Sequence, residues 1–287
     1  MNGFEKISYR DIVILFVLSG FAVNSRAYSR ATSVTKSPTT AIMLIILCLA
    51  LIASASCLKP RIIGGTPTTI NKHPYQVSIH YNGELACGGS IISKEWILTA
   101  AHCVYGGSPS LFKIRVASTY HDKEGTLITA VATIVIHKKY QADTYDYDVA
   151  LIKLHTPLTL GPNIKVVLLA VGNIKPGSQA IVAGWGKTSR NGASSKVLQS
   201  LKIPIIEQEE CRKIYARYRP VTSNMLCAGY LSGSKDTCQG DSGGALVYND
   251  VQIGIVSWGA QCASVGFPGV YTRVSAIRQW ITEQTNV

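Results

Sequence analysis

From residue 62 onward, apolar residues come in short bursts: "YQVSIH" (75–80), "GSIISKEWILTA" (89–100), "LITAVATIVIH" (127–137), "VALIKL" (149–154), "QAIVAGWG" (179–186) and "VQIGIVSWG" (251–259) are rich in Val, Ile, Thr and Tyr. Gly, Pro, Asn and Ser punctuate them. β-Branched and aromatic side chains fit a pleated, half-buried surface, so runs of this length between turn residues predict the strands of an all-β barrel or sandwich. The pattern changes only at the tail. In "VSAIRQWITEQ", Ile277, Trp280 and Ile281 recur at helical spacing and Ser275 stands where a cap would, which predicts a C-terminal helix. Residues 62–287 therefore read as one compact unit of paired β-barrels, without internal repeats or a low-complexity linker.

Two unbroken apolar runs lie upstream, "IVILFVLSGFAV" (12–23) and "AIMLIILCLALIA" (41–53). Each falls short of the roughly 18–20 residues that a membrane-spanning helix needs, and each fits a signal-peptide core. The second ends in "ASAS", small residues suited to signal peptidase, with Ala55 or Ser56 closing the leader. Residues 1–56 are thus read as a leader region, in contact with a membrane only during export. Two runs stand where one suffices, so residues 1–40 read as a transit extension or a misassigned start.

Composition narrows the class. A chain of 287 residues, 47% hydrophobic and 15% charged, has ample length and apolar content for a core. Its formal charge is +12, but residues 1–61 carry seven Lys/Arg against two Asp/Glu, which leaves +7 on the remainder. The densest basic group, "RKIYARYR" (212–219), reads as a solvated helical face rather than a patch for acidic partners. No nucleic-acid-binding motif is present. Of eight cysteines, Cys48 and Cys57 lie in or beside the leader; Cys87, Cys103, Cys211, Cys227, Cys238 and Cys262 remain. No close C-x-x-C pair with matching His spacing suggests zinc, so with a leader the six favour three disulfides made in an oxidising compartment, hence secretion. Closing each loop contributes on the order of 3 kcal/mol.

The candidate chemistry centres on "KDTCQGDSGGAL" (235–246), where Ser242 has Asp241 beside it, Asp236 six residues ahead, and glycines at 240, 243 and 244. A turn would explain the glycines alone. A serine hydroxyl becomes a nucleophile when a positioned base takes its proton. Of six histidines, His73, His80, His121, His137 and His155 sit in turn or strand-end contexts and read as surface or packing residues; His102 follows "WILTAA" and precedes Cys103, where a strand and a disulfide would fix it. An acid must orient that imidazole. Asp143, Asp146 and Asp148 crowd "ADTYDYDVALIKL", and Asp148 abuts the buried-looking strand, where an unpaired carboxylate would cost several kcal/mol and so requires a partner. Asp143 and Asp146 read as solvated.

"LTAAHC", "DYDVALIKL" and "GDSGG", in that order, resemble the chymotrypsin/trypsin family of serine proteases, and the likeness spans nearly all of 62–287. It implies two six-stranded antiparallel β-barrels with a C-terminal helix. Ser242 would attack, His102 shuttle the proton, Asp148 hold His102, and the N–H groups of Gly240 and Ser242 form an oxyanion hole. It also implies an activation peptide at 57–61 ahead of a protease domain at 62–287: "PRIIGG" (60–65) offers a cut after Arg61, and the freed Ile62 ammonium would bury against Asp241. Asp236 matches the base of a pocket for Arg or Lys, kept open at Gly259 and Gly269, while the strand ending in Ser257, Trp258 and Gly259 would pair with the substrate backbone. The disulfides implied are Cys87–Cys103, Cys211–Cys227 and Cys238–Cys262, leaving Cys57 without a partner in the mature unit.

No cofactor or metal is implied. Partners would be protein or peptide substrates with Arg or Lys at the cut and protein protease inhibitors; no nucleic acid is expected, and a monomer is. Three departures stand out: Ala245 replaces the family's usual proline, the loop 117–126 looks short and poor in acids for a calcium site, and the 211–227 segment looks long enough to alter a rim of the cleft. A non-catalytic relative would have lost a triad member or the cut site, and none is lost. With no cysteine-rich module ahead of Arg61, a digestive role is favoured over a regulatory cascade.

Overall fold

The computed structural model describes residues 64–287, apart from 190, 191, 234 and 235. The leader (1–56), the 57–61 stretch, Cys57, Arg61 and Ile62 lie outside the described residues. After β1 (Thr66–Pro67) come β2 (Gln76–Tyr81), β3 (Glu84–Ile91), β4 (Trp96–Thr99), β5 (Phe112–Val116), β6 (Thr126–Ile128), β7 (Val131–Ile136) and β8 (Ala150–Leu154). The strands β2 to β8 make one antiparallel sheet in the order β6-β5-β2-β3-β4-β8-β7. Its edge strands β6 and β7 are separated in the chain only by Thr129 and Ala130, so the sheet must curl until its edges meet. The run 127–137, expected as one strand, is divided at that corner. Alternation fills the interior: Phe112, Ile114 and Val116 point inward on β5 while Lys113 and Arg115 face out, and Val77, Ile79, Ile91, Ile97 and Ile152 complete the core.

The run 89–100 is likewise two strands. Residues 92–95 turn between β3 and β4, and the Ser93 hydroxyl accepts from the N–H groups of Glu95 (3.2 Å) and Trp96 (3.1 Å), a local bond that competes with the strand ladder.

The second sheet contains β9 (Leu168–Leu169), β10 (Gln179–Gly184), β11 (Gln199–Pro204), β12 (Met225–Ala228), β13 (Ala245–Tyr248), β14 (Val251–Trp258) and β15 (Gly269–Arg273). Its order is β1-β11-β10-β13-β14-β15-β12, with β9 beside β14. It too curls shut: beyond β11, Ile205 bridges Ala228 of β12, Ile206 N–H donates to Cys227 (2.9 Å) and Gly229 N–H to Pro204 (3.0 Å). Six longer strands carry this half, as expected, with the two-residue β1 and β9 added, whereas the first half has seven strands rather than six, its corner splitting the run 127–137 into β6 and β7. Two curled antiparallel sheets and a C-terminal helix make this a chymotrypsin-like fold.

Two helices differ from expectation in detail. The C-terminal helix α2 (Val274–Thr285) buries Ile277 and Ile281, but its N-cap is Arg273, not Ser275. Strand β15 runs straight into the helix, so its last extended residue takes the cap position and Ser275 falls inside the first turn. The helix α1 (Gln208–Tyr215) was not read from the pattern; Glu207 caps it through Glu210 N–H, and Cys211 and Tyr215 form its buried stripe. Only Arg212–Tyr215 of the basic run is helical, so that run is not one solvated helical face.

The three disulfides implied by the resemblance are present: Cys87–Cys103, Cys211–Cys227 and Cys238–Cys262. Among the described residues no helix is long and apolar enough to cross a membrane.

Where the two sheets meet, polar groups are buried and paired across the joint. Ser90 of β3 donates to Gln252 Oε1 of β14 at 2.7 Å, both side chains being sealed from water. Removing one partner of such a bond strands the other, at a cost of about 1–3 kcal/mol. Ser90→Ala is therefore expected to destabilise the fold by that amount, read as a lowered urea midpoint at unchanged slope.

Candidate active site

An open cleft of about 630 Å³ follows the joint and is lined by His102, Ser242, Asp236, Trp258 and Gly269 among others. The first barrel contributes the imidazole. β4 ends at Thr99 and the chain turns through a single 3-10 turn, Ala101–Cys103, whose end is bound to β3 by the Cys87–Cys103 disulfide. Asp148 stands just before β8, with 0% exposure. Its carboxylate accepts from His102 Nδ1 (2.8 Å), His102 N–H (2.9 Å) and Ser257 Oγ (2.5 Å), and its backbone carbonyl from Thr272 Oγ1 (2.8 Å). The carboxylate can only accept, so the proton sits on Nδ1, and Nε2 is left with a lone pair.

The second barrel contributes the serine. Ser242 O accepts from Gly88 N–H of β3 (2.7 Å), and Gly243 N–H donates to Val256 O (2.8 Å), so the loop is stitched to both barrels. Gly243 has φ +80°, and a Cβ there would lie 2.2 Å from Thr99 Oγ1 and 2.5 Å from Gly88 O; only glycine fits. The N–H groups of Gly240 and Ser242 have no acceptor among the described residues. Both sit in a loop where the chain turns through positive φ at Gly240 (+96°) and Gly243.

Two further carboxylates are buried behind this loop. Asp241, 0% exposed, accepts from Gly186 N–H (2.8 Å) and Cys238 N–H (3.0 Å), and no cation pairs with it among the described residues. Burial pushes its carboxyl up to about 7, two hydrogen bonds notwithstanding. Glycines let it sit there: a Cβ on Gly184 or Gly186 would come within 2.2 or 2.4 Å of its oxygens. Asp236, 5% exposed, accepts from Thr237 N–H (2.8 Å) and Ala263 N–H (2.9 Å), and burial raises it to about 6. It lines the cleft together with Gly259 and Gly269; a Cβ on Gly269 would stand 3.1 Å from its Oδ1, and one on Gly259 would meet only open space and the distant Tyr215 hydroxyl.

Of the residues predicted from sequence, His102, Asp236, Ser242, Ser257, Trp258, Gly259 and Gly269 line the cleft, Asp148 backs His102 and Asp241 lies behind the serine loop, while Ser242 Oγ and His102 make no direct hydrogen bond among the described residues; Arg61 and Ile62 lie outside the described chain. One expectation needs correcting. Asp146 is not simply solvated: it accepts from Thr222 Oγ1 (2.7 Å) and Asn224 Nδ2 (3.0 Å), which ties the first barrel's loop to the second barrel. Sequence reasoning also missed Thr272, the bond of Ser257 to Asp148, the Gly184 and Gly186 cradle, and the cleft-lining Tyr145, Tyr218 and Arg219. The glycines flanking Trp185 in "AGWG" were the available signal, since glycine in a strand marks close approach of another group.

A buried acid, an imidazole oriented by it and a loop serine at the seam of two curled β-sheets define a serine hydrolase of chymotrypsin-like architecture. The family profile described as Trypsin matches residues 62–281. Hypodermin-B of Hypoderma lineatum is 46% identical over 228 residues, 79% of this chain and 88% of that protein. Trypsin 5G1 of Aedes aegypti is 41% identical over 226 residues (78% and 84%), and the vitellin-degrading protease of Bombyx mori 39% over 238 (81% and 90%). The chain belongs to the trypsin family and is a serine endopeptidase.

The Gly186 contact offers a test of how the serine loop is held. Gly186→Ala would push the Asp241 carboxylate from its seat and drag the neighbouring Ser242 with it. The variant is expected to keep a native far-UV circular dichroism spectrum while kcat/KM on a peptide amide falls by a factor of about 100 or more, the scale of losing one oxyanion donor.

Proposed function

We propose that this endopeptidase cuts peptide bonds after Arg or Lys, with Ser242 as nucleophile, His102 as general base and then acid, and Asp148 as the group that orients His102. The observation carrying the specificity is Asp236, a buried carboxylate bordering the cleft beside two glycines, with backbone donors but no cation among the described residues. A guanidinium or ammonium entering that slot would pair it, and an apolar side chain would leave it stranded. Ser257, Trp258 and Gly259 would align the extended substrate by β-pairing. His102 Nε2 then takes the Ser242 proton as Oγ attacks the carbonyl carbon, and Gly240 and Ser242 N–H groups receive the charge that develops on the carbonyl oxygen. His102 next returns the proton to the leaving amine, and water repeats the cycle on the acyl-enzyme.

The enzyme is read as a secreted zymogen cut between Arg61 and Ile62. Support comes from Asp241, which is buried without a counter-charge; a new α-ammonium at Ile62 would supply one and hold the Gly240–Ser242 loop in place. A digestive role and protein inhibitors as partners belong to the same reading, and relatives named trypsin and vitellin-degrading protease support its degradative part.

The decisive experiment uses full-length protein before and after cleavage at Arg61, an arginyl amide substrate and a phosphonylating reagent. Turnover and labelling of Ser242 should appear only after the cut; in the Asp236→Ser variant kcat/KM at Arg should fall by several orders of magnitude, each ~1.4 kcal/mol being tenfold. Activity of wild-type rate in the uncut chain would end the activation reading, and an undiminished Arg preference in the variant would end the pocket assignment.

The raised Asp236 carboxyl gives a signed pH dependence. Below about 6 a proton occupies it, and an amidinium ligand must compete with that proton. Affinity of an aryl amidine for the matured enzyme is expected to rise about tenfold per pH unit toward 6 and to level off above it, measured by titration calorimetry. A flat profile between pH 4.5 and 8, a range set about the usual carboxylate and raised values, would refute Asp236 as its partner.

A further inference from the structure

Beyond α1 the basic run leaves the helix, and Arg219 enters the cleft. Its guanidinium carbon lies 4.6 Å from the centroid of Tyr145 and 5.0 Å from that of Trp258, and Tyr218 stacks on Trp258 with ring planes 11° apart. Arg219 is half-buried, and among the described residues no carboxylate pairs with it. Aromatic faces engage the flat of a guanidinium and leave its in-plane N–H donors free. A fixed, unpaired fork of donors facing a substrate groove is a receptor for a carboxylate.

We infer that Arg219 is a specificity-determining residue that selects an acidic side chain three residues ahead of the cleaved Arg or Lys. The assignment rests on the proposed Asp236 pocket and on substrate pairing with the strand that ends at Gly259. Alternate side chains of an extended peptide face the same way, about 6.8 Å apart. In that pairing the residue immediately ahead of the cleaved one would face His102 and Tyr145, whose rings are 5.4 Å apart. The next on that side would lie one step further along the wall, where Tyr145 meets Arg219 and Trp258. The cleft lining thus offers both signs of charge, Asp236 for a cation and Arg219 for an anion, and a substrate with the matching charges would be held in register.

The test uses matured enzyme on a peptide mixture randomised at the cleaved position and the three before it, with both product ends sequenced. It then compares two peptides that differ only as Glu or Gln at the third position before Arg. Wild type should favour Glu about five- to tenfold in kcat/KM, the scale of a half-buried charge-assisted bond, and the ratio should shrink toward one in about 0.5 M salt. Arg219→Gln should bring the ratio near one at low salt, and Arg219→Glu should invert it in favour of Gln and enrich Lys at that position in the randomised mixture. Ratios taken within each enzyme cancel any change in overall activity or folded fraction. Arg/Lys cleavage without acidic enrichment, enrichment at another upstream position only, or a Glu preference that survives Arg219→Gln would overturn the inference. Cleavage after other residues with the acidic preference intact would instead overturn the Asp236 reading and leave this one standing.

Discussion

Taking a carboxylate out of water costs several kcal/mol unless donors or cations replace the lost hydration. Among the described residues three acids are buried, Asp148, Asp236 and Asp241: Asp236 borders the cleft, Asp148 backs His102 and Asp241 lies behind the serine loop. Each is satisfied to a different degree. Asp148 is saturated by an imidazole, a backbone N–H and a hydroxyl, which fix its orientation. Asp236 and Asp241 each hold two backbone donors and no cation, which leaves their carboxyls raised to about 6 and 7. The graded satisfaction matches the proposed uses: the saturated acid would position His102, and the two underpaired ones would each receive a positive charge.

The barrels exist, in functional terms, to make this burial possible. Neither half holds the site alone: His102 and Asp148 come from the first, Ser242, Asp236 and Asp241 from the second. Ser257 and Thr272 of the second barrel clamp Asp148 of the first, and Gly88 of the first clamps Ser242 of the second. Because each sheet curls shut, its strands present backbone groups to the seam at fixed spacing, and close approach there demands glycine. A side chain at Gly243 would strike both Thr99 and Gly88, so the seam cannot close over anything larger.

Much of this was legible in the chain. Short runs rich in Val, Ile, Thr and Tyr between turn residues located many of the strands, and three short motifs carried the residues proposed as the triad and its flanking acids, because burial and chemistry constrain residue type at those points. Corners read through as strand: the break at Thr129–Ala130 falls inside an apolar run without a charged gap, and the polar Ser93, Lys94 and Glu95 read as part of one run over 89–100. Helix α1 escaped because its stripe is only Cys211 and Tyr215, two residues in eight. Arg219 was misread for a related reason. Its neighbours in sequence are exposed, and only the tertiary approach of Tyr145 and Trp258, 74 and 39 positions away, turns a surface cation into part of the cleft.

Asp241 shows why cutting the chain far from the serine could govern it. Before the cut, under the proposed activation, a buried carboxylate depends on two N–H groups, one of them from Cys238 in its own loop. Near pH 7 such a group is as often neutral as charged, and a neutral acid grips both donors weakly. Under that reading the Gly240–Ser242 loop is then held from below only weakly, its remaining ties being Gly88 N–H to Ser242 O and Gly243 N–H to Val256 O. An α-ammonium buried beside the carboxylate removes that weakness by favouring the ionised form, which strengthens both bonds at once. The donors for the oxyanion are fixed as a consequence. A single peptide-bond cleavage thereby becomes an electrostatic commitment, paid once at maturation rather than in every turnover.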